Sequence, residues 1–301
     1  MARPIFSWHV EKKEAPILLR AFLCEKKHVS KRLLAAVKFK GGMLKVNGQK
    51  ATVRKQLNAG DEVVMELAPE EKSTFLESEK LDFNICYEDR DFLVVEKPAQ
   101  MATIPSIDNP RGSLANAVMF YYQETGVEST FHAVNRLDKG TSGLLIVAKH
   151  RYAHDRLAKS QMIGKVKRSY KALVEGSLPK RDGIIDAPIG RKPSSIIERE
   201  VRSDGKKAIT HYRVEAQSNS HSLVALELRT GRTHQIRVHM ADFGFPLVGD
   251  RLYGGVDTHL LHQALHCDKV IFTQPFTGEE LTIISDLPQQ WAIYMNGMIP
   301  N

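Results

Sequence analysis

The sequence predicts a large α+β domain preceded by a small α+β module. In the larger part, predicted strands mostly follow other strands, with a few amphipathic helices between them, which favours an α+β sheet over a regular strand–helix alternation. Positive charge is concentrated at one end: residues 1–60 contain 14 Lys/Arg and 3 Asp/Glu, whereas residues 61–301 have a net charge of −3. This asymmetry indicates either a phosphate-binding module or a solubilising basic arm.

The basic module contains two predicted helices and a hairpin. Apolar residues recur at helical spacing in residues 18–23 and 33–37, and Ser30 can cap the second helix. The dipeptide Asn47-Gly48 follows a short strand and is typical of a two-residue hairpin turn. The predicted boundaries are 1–68 for the module, 69–81 for a polar linker and 82–301 for the larger domain.

The larger domain contains several short strands and a few helices. Apolar runs and alternation predict strands at residues 92–96, 144–149, 170–176, 210–216 and 222–229. Helical periodicity predicts helices at residues 113–123, 151–161 and 235–243. Thr233 can cap the third helix and Gly244 can end it.

The first segment with chemical potential is residues 135–144, Asn-Arg-Leu-Asp-Lys-Gly-Thr-Ser-Gly-Leu. It predicts a tight polar loop that leads directly into an apolar strand. Loops at the end of a sheet often carry catalytic groups, but an Arg-Leu-Asp loop alone is more often a structural turn.

Two further segments contain possible site residues. Residues 229–240, Arg-Thr-Gly-Arg-Thr-His-Gln-Ile-Arg-Val-His-Met, place many donors at the start of a predicted helix, which suits phosphate or carboxylate binding. The alternative is a helix end that pairs with surface carboxylates. Residues 167–176 place Tyr170 early in a strand, where a tyrosine alone indicates ordinary half-buried packing.

Taken together, the three segments resemble the signatures of RluA/RluD-type pseudouridine synthases. The matching motifs are Arg136-Leu137-Asp138 with Thr141-Ser142-Gly143, Gly231 to His239, and Tyr170-x-Ala172. Further matches lie at residues 96–98, 205–208, 246–250 and 261–266, so the resemblance spans roughly residues 82–288. The basic module resembles the alpha-L RNA-binding domain, whose basic helix face lies along an RNA backbone.

The resemblance implies a mixed, antiparallel-rich central sheet with flanking helices and an active cleft across its middle. It also implies that Asp138 is the essential carboxylate, that Tyr170 packs against the target base and that Arg237 pairs with Asp138. The predicted RNA contacts are Asn135, Arg136, Arg232, Thr233, His234 and Gln235, with Lys31 and Arg32 in the module. Asn135 is a departure, because the family usually has His immediately before the Arg-Leu-Asp triplet.

The implied reaction converts uridine to pseudouridine and requires no cofactor, because it involves neither a redox change nor a gain of atoms. The sequence agrees, since it contains neither a dinucleotide-binding nor a phosphate-loop motif. Asp138 could attack the sugar as a nucleophile or remove a sugar proton as a base. Both routes require an ionised carboxylate, which a neighbouring Arg237 would maintain under bound RNA.

Other functions fit the sequence less well. A glycoside hydrolase usually needs two carboxylates, and only Asp138 lies in a convincing motif. A metal site built from His259, His262, His266 and Cys267 has no standard ligand spacing. A non-catalytic RNA-binding protein would not need Asp138, Tyr170 and Arg237 together.

The cellular expectations follow from the composition and the resemblance. The expected substrate is structured RNA, with large-subunit ribosomal RNA first and transfer RNA second. No apolar run approaches the roughly 20 residues of a membrane span, and the N-terminus lacks a secretory signal. We therefore expect a cytoplasmic monomer without metal, cofactor or membrane contact.

Overall fold

A computed structural model describes residues 3–70, 75–256 and 259–300, and it has the α+β fold predicted from the sequence. The strands of the N-terminal part are β1 (Ile5–His9), β2 (Ile17–Leu18), β3 (Met43–Val46), β4 (Gln49–Lys50), β5 (Gln56–Leu57) and β6 (Glu62–Glu66). Its helices are α1 (Leu19–Ala21), which continues into a π-helical turn (Phe22–Lys26), and α2 (Lys31–Phe39), and a 3-10 turn spans Lys12–Glu14.

The N-terminal part has its own hydrophobic core. Its antiparallel sheet has the order β1-β6-β3-β4, and β2 pairs with β5 outside it. The predicted cap is confirmed, because the Ser30 hydroxyl accepts a 3.1 Å hydrogen bond from the Leu33 amide. The predicted hairpin is also confirmed: Asn47 and Gly48 have φ angles of 51° and 77°, as a type I′ turn requires.

The remainder of the chain forms a larger sheet with helices. Its strands are β7 (Asn84–Glu88), β8 (Phe92–Lys97), β9 (His132–Ala133), β10 (Ser142–Ala148), β11 (Lys167–Glu175), β12 (Asp182–Asp186), β13 (Ile189–Arg191), β14 (Arg199–Val201), β15 (Ile209–Gln217), β16 (His221–Leu228), β17 (Leu265–Thr273), β18 (Glu280–Ile284) and β19 (Ile299–Pro300). Its helices are α3 (Leu114–Thr125), α4 (Arg151–Met162), α5 (Gln235–Asp242) and α6 (Ala292–Met295), the last after a 3-10 turn (Gln289–Trp291).

The strand order of the large sheet brings the predicted site segments together. The order is β12-β15-β16-β11-β17-β10-β8-β7, and β17 separates β10 from β11. Among the described strands, every ladder is antiparallel except β10 with β17, where Ser142 and Gly143 lie beside His266 and Cys267. Because β10 follows the 135–141 loop directly, that loop lies near the middle of the sheet, close to the middle of β11, where Lys171 pairs with His266.

The core explains why the central strands were predictable. Leu144 to Ala148 in β10 and Phe92 to Val95 in β8 are completely buried, so both faces of these strands are covered and their sequences read as continuous apolar runs. All eight strands and helices predicted for the larger domain are present, with ends that differ by three residues at most. Among the described residues, no helix is long and apolar enough to cross a membrane.

The predicted start of α5 is wrong in one detail. The residue that precedes the helix is His234, in the left-handed conformation with a φ of 58°, and Thr233 caps nothing. The helix has no side-chain cap; the Gln235 side chain instead turns back, and its oxygen accepts from the Arg232 amide at 3.0 Å, which holds the turn before the helix. Gly244 follows the helix with a φ of 90°, so the predicted C-terminal stop is confirmed.

Candidate active site

A cleft of about 580 Å³ brings the three predicted segments together over the middle of the sheet. Residues 133–139 form one wall, Arg168 and Tyr170 lie beneath them, and residues 231–237 form the opposite wall. Residues 102–104, Thr141, Gln161, Leu228 and Leu265 complete the lining. Segments separated by about 100 positions in the sequence therefore share one concave surface.

Asp138 is carried by a tightly held loop in this cleft. Its carbonyl accepts a 3.0 Å hydrogen bond from the Thr141 amide, and its carboxylate is 30% exposed. Gly143 ends the loop with a φ of 103°, and a Cβ there would lie 2.3 Å from the Cys267 carbonyl oxygen. Only glycine permits β10 to approach β17 this closely, so the loop is fixed against the sheet immediately after the carboxylate.

Two side chains of the 261–266 segment hold the same loop from its far side. The Gln263 amide donates to the Thr141 hydroxyl at 3.2 Å, and the Ser142 hydroxyl lies 2.8 Å from His266 Nδ1. His266 Nε2 is in turn 3.0 Å from the Ser285 hydroxyl. Both nitrogens of His266 are thus occupied, and no group of His, Cys, Asp or Glu within the described ranges is arranged to hold a metal ion.

Lys97 lies beneath the loop and is completely buried. Its ammonium donates to the carbonyls of Pro98 at 2.9 Å, Met101 at 2.7 Å and Lys139 at 3.3 Å. Burial lowers the pKa of Lys97 to about 7, although the Asp138 carboxylate opposes this shift. Lys97 therefore ties the residue after Asp138 to the end of β8.

Arg237 lies between two carboxylates. Its Nε and Nη2 donate to Asp250 at 2.7 and 2.8 Å, and its Nη1 lies 3.5 Å from Asp138 Oδ2. The side chain of Asp250 is 1% exposed and that of Arg237 is 8% exposed. Burial opposes the charged form, but the bonds to Asp250 outweigh it and raise the pKa of Arg237. A permanent positive charge thus faces the Asp138 carboxylate.

His234 presents a second polar group to Asp138. Its Nε2 lies 3.9 Å from Asp138 Oδ2, and its Nδ1 lies 2.7 Å from the Tyr253 hydroxyl. That hydroxyl accepts a 2.9 Å hydrogen bond from the Arg199 amide, which leaves its own proton for His234 Nδ1. Burial lowers the pKa of His234. We therefore assign a neutral imidazole with its proton on Nε2, directed toward the carboxylate.

Tyr170 forms part of the cleft surface beneath Asp138. It is only 4% exposed, and burial raises the pKa of its hydroxyl, so the phenol is protonated at neutral pH. Arg168, two residues earlier on the same face of β11, places Nη1 3.5 Å from the Tyr170 oxygen. This side of the cleft therefore places a largely buried phenol ring beside a guanidinium.

The residues predicted to contact RNA have different environments. Arg136, Arg232 and Thr233 are exposed at the cleft, where phosphates can reach them. Gln235 is buried. Its side-chain oxygen accepts from the Thr230 hydroxyl and the Arg232 amide, and its side-chain nitrogen donates to the Ile209 carbonyl and the Thr210 hydroxyl. Gln235 therefore positions the loop and has no side-chain atom left for RNA in this arrangement.

Asn135 and the module residues lie in two further settings. The Asn135 side-chain oxygen accepts from the Ile146 amide at 3.0 Å, while its buried Nδ2 has no partner among the described residues. The Asn135 side chain thus fixes the loop to β10, and the residue forms part of the wall of the cleft. Lys31 and Arg32 are exposed on α2, outside the cleft lining.

Sequence reasoning did not assign Lys97, Arg168, Asp250 or Tyr253 to the site. Lys97 and Asp250 lie in two of the motifs that match the family, Glu96-Lys97-Pro98 and Gly249-Asp250, where a charged residue borders an apolar stretch. That pattern could have indicated buried charges. The sequence around Tyr253 contains no pattern that predicts its contact with His234.

The chain is similar to pseudouridine synthases over most of its length. Residues 91–242 match the family described as RNA pseudouridylate synthase. The uncharacterized RNA pseudouridine synthase YjbO of Bacillus subtilis is 46% identical over 89% of this chain and 95% of its own length. The ribosomal large subunit pseudouridine synthase D of Vibrio cholerae is 37% identical, over 82% of this chain and 80% of its own.

A solved structure supports the same relationship. Human RNA pseudouridylate synthase domain containing 1 superposes with a TM-score of 0.60 and 26% sequence identity, covering 77% of this chain and 92% of the human chain. The alignment therefore includes nearly all of the human structure.

Proposed function

The chain belongs to the RNA pseudouridylate synthase family, of RluA/RluD type, and on that premise we propose that it isomerises uridines of large-subunit ribosomal RNA with Asp138 as its essential carboxylate. The observation that carries the proposal is the Asp138 carboxylate in the cleft, 3.5 Å from the buried Arg237 guanidinium. A carboxylate beside a permanent cation remains ionised when a bound base excludes water, as the reaction requires.

The reaction exchanges one bond for another at the sugar. The bond from ribose C1′ to base N1 breaks, the base turns, and C1′ joins C5; the proton from C5 is lost and N1 takes up a proton. Atoms and electrons balance without a cofactor. Asp138 can attack C1′ to form an ester that the turned base displaces. It can instead remove the C2′ proton, leave a glycal and later return that proton.

The neighbouring groups suit either route. Both routes release the base with negative charge on its ring, and donors near Asp138 would stabilise that charge. Such donors are the Nε2–H group of His234, whose nitrogen lies 3.9 Å from Asp138 Oδ2, and the Arg168 guanidinium. Tyr170 offers a ring face for stacking, which orients the base while it turns.

The basic module would supply phosphate contacts outside the cleft. We propose residues 1–68 as an RNA-binding domain, residues 69–81 as the linker and residues 82–301 as the catalytic domain. Exposed Lys31 and Arg32 on α2 support this role, because phosphate neutralisation contributes affinity without reading sequence.

The substrate assignment draws on relatives in four further bacteria, each named ribosomal large subunit pseudouridine synthase D and 33–36% identical to this chain. The test is pseudouridine mapping of ribosomal and transfer RNA from cells with the gene, without it, and with the D138N allele. We expect large-subunit sites to be lost in the second and third strains. Loss confined to transfer RNA would overturn the substrate, and full modification by the D138N allele would overturn the role of Asp138.

A further inference from the structure

The basic module packs directly on helix α4 of the larger domain. The Ser30 hydroxyl donates to Asp155 Oδ2 at 2.7 Å, and Arg156 Nη1 donates to the Lys27 carbonyl at 3.3 Å. The Tyr152 hydroxyl donates to the same carbonyl, although its ring is completely buried. These three contacts span about one turn of α4 and fix the segment that leads into α2 against that helix.

An aromatic cluster strengthens this contact. The ring centroids of Phe6 and Tyr152 are 4.9 Å apart, and those of Phe6 and Phe276 are 5.2 Å apart. The Arg90 guanidinium lies 4.8 Å from the Phe6 ring centroid. Aromatic side chains dominate stable interfaces because they bury large apolar areas. The module is thus held in one orientation relative to the catalytic cleft.

Helix α4 also reaches the cleft. Lys159 Nζ lies 3.5 Å from the His28 carbonyl of the module, and Gln161 lines the cleft. Two residues advance a helix by about 3 Å but point to different sides of it, so the module contact and the cleft edge lie at the same level on different sides of α4. The turn after α4 then leads to Arg168 in the cleft.

This part of the chain is strongly basic. Residues 156–171 contain six Lys/Arg and no Asp/Glu. Lys159 and Lys165 are exposed, as are Lys31 and Arg32 across the contact. Asp155, the acidic residue at the contact, already binds Ser30 and Arg151. The surface between module and cleft therefore carries positive charge without nearby free carboxylates on α4.

We propose that the junction of module and α4, with Lys31, Arg32, Lys159 and Lys165, is a phosphate-binding surface that continues from the cleft and holds the RNA strand next to the target uridine. This inference rests on the proposed function and adds a specific path for the RNA. The path leaves the cleft at Gln161, passes round the C-terminal end of α4 by Lys165 and Lys159, and ends on the exposed side of α2.

The test removes charge at the junction and measures affinity for an unmodified large-subunit ribosomal RNA transcript at several salt concentrations. Both arms carry D138N, so binding is measured without turnover and the result does not depend on the catalytic assignment. We expect K159A/K165A to weaken binding several-fold and to reduce the slope of log affinity against log salt by roughly 1.5, for two lost phosphate contacts.

Two matched variants make the result interpretable. K159R/K165R keeps both charges and should bind as the parent does. K180A/R181A removes two exposed charges beyond the opposite end of β11 and should leave affinity and salt slope unchanged. Parental affinity and slope in K159A/K165A would overturn the proposal, and so would an equal loss in K180A/R181A.

Discussion

Asp250 binds Arg237 through two hydrogen bonds of 2.7 and 2.8 Å and thereby directs the third guanidinium nitrogen toward Asp138. The pair is almost completely buried, and the fork geometry leaves Arg237 few other orientations. The cation opposite Asp138 is thus positioned by a residue that does not face the cleft. Arg237 also lies over the Tyr253 ring, with 4.9 Å between its guanidinium carbon and the ring centroid.

Replacing Asp250 should damage both stability and catalysis. In D250N, Arg237 keeps its charge but loses its buried partner, which costs about 3 kcal/mol of unfolding free energy. Urea unfolding measures this loss, and the single-turnover rate should fall because Nη1 is no longer fixed. The control is E77Q, which breaks the exposed pair of Glu77 with Arg111 and should cost less than about 1 kcal/mol. Equal costs for both variants would argue against a positioning role for Asp250.

The Tyr253 hydroxyl should matter through His234. In Y253F, Nδ1 loses its donor and the Nε2–H tautomer is no longer fixed, so the single-turnover rate at saturating RNA should fall roughly 5- to 10-fold, for one hydrogen bond. H234Q keeps a donor near Nε2 and should retain more activity than H234N. Y87F removes a hydroxyl that binds Asp89 outside the cleft and should have no effect. Identical rates for H234Q and H234N would refute the assigned tautomer.

Lys97 should make stability depend on pH in a defined direction. Its folded pKa of about 7 lies below the unfolded value near ~10.4, so the folded state holds this proton less tightly. The resulting loss of unfolding free energy is complete below pH 7 and becomes smaller as the pH rises toward ~10.4. Relative to K97M, the wild type should gain about 1 kcal/mol of unfolding free energy per pH unit between pH 7 and 9. Denaturant unfolding across this range measures it, with K180M as the exposed control; a flat difference would contradict the shift.

The sequence predicted those parts of the fold that have strong periodicity. Strand β10 and helix α4 were predicted correctly. An apolar run of this length fits a strand that is buried on both faces, and a helical repeat of apolar residues fits a helix that is buried on one face. The prediction missed the central strand β17, and it missed two edge strands: β7, whose side chains are mostly exposed, and β12, where exposed and partly buried positions alternate. Such edge strands are stabilised by pairing with neighbours that a local pattern does not reveal.

The residues of the candidate site were likewise predicted only in part. Asp138, Tyr170 and Arg237 were identified from motifs and do share one cleft, whereas the partners that orient them were not identified. Lysine is rarely buried, so the apolar stretch that Lys97 borders was the one indication of its position beneath the loop. Asp250 is 13 positions from Arg237, and its contact depends on how the chain returns after α5.

The most direct measurement is release of the C5 hydrogen from RNA labelled with tritium at C5 of uridine, since this hydrogen leaves only when C5 bonds to the sugar. Wild-type protein and D138N are compared under single-turnover conditions, with RNA affinity measured in parallel. If Asp138 is the reacting carboxylate, D138N binds RNA within a few-fold of wild type and releases no tritium above background. Release by D138N at the wild-type rate would contradict the central assignment.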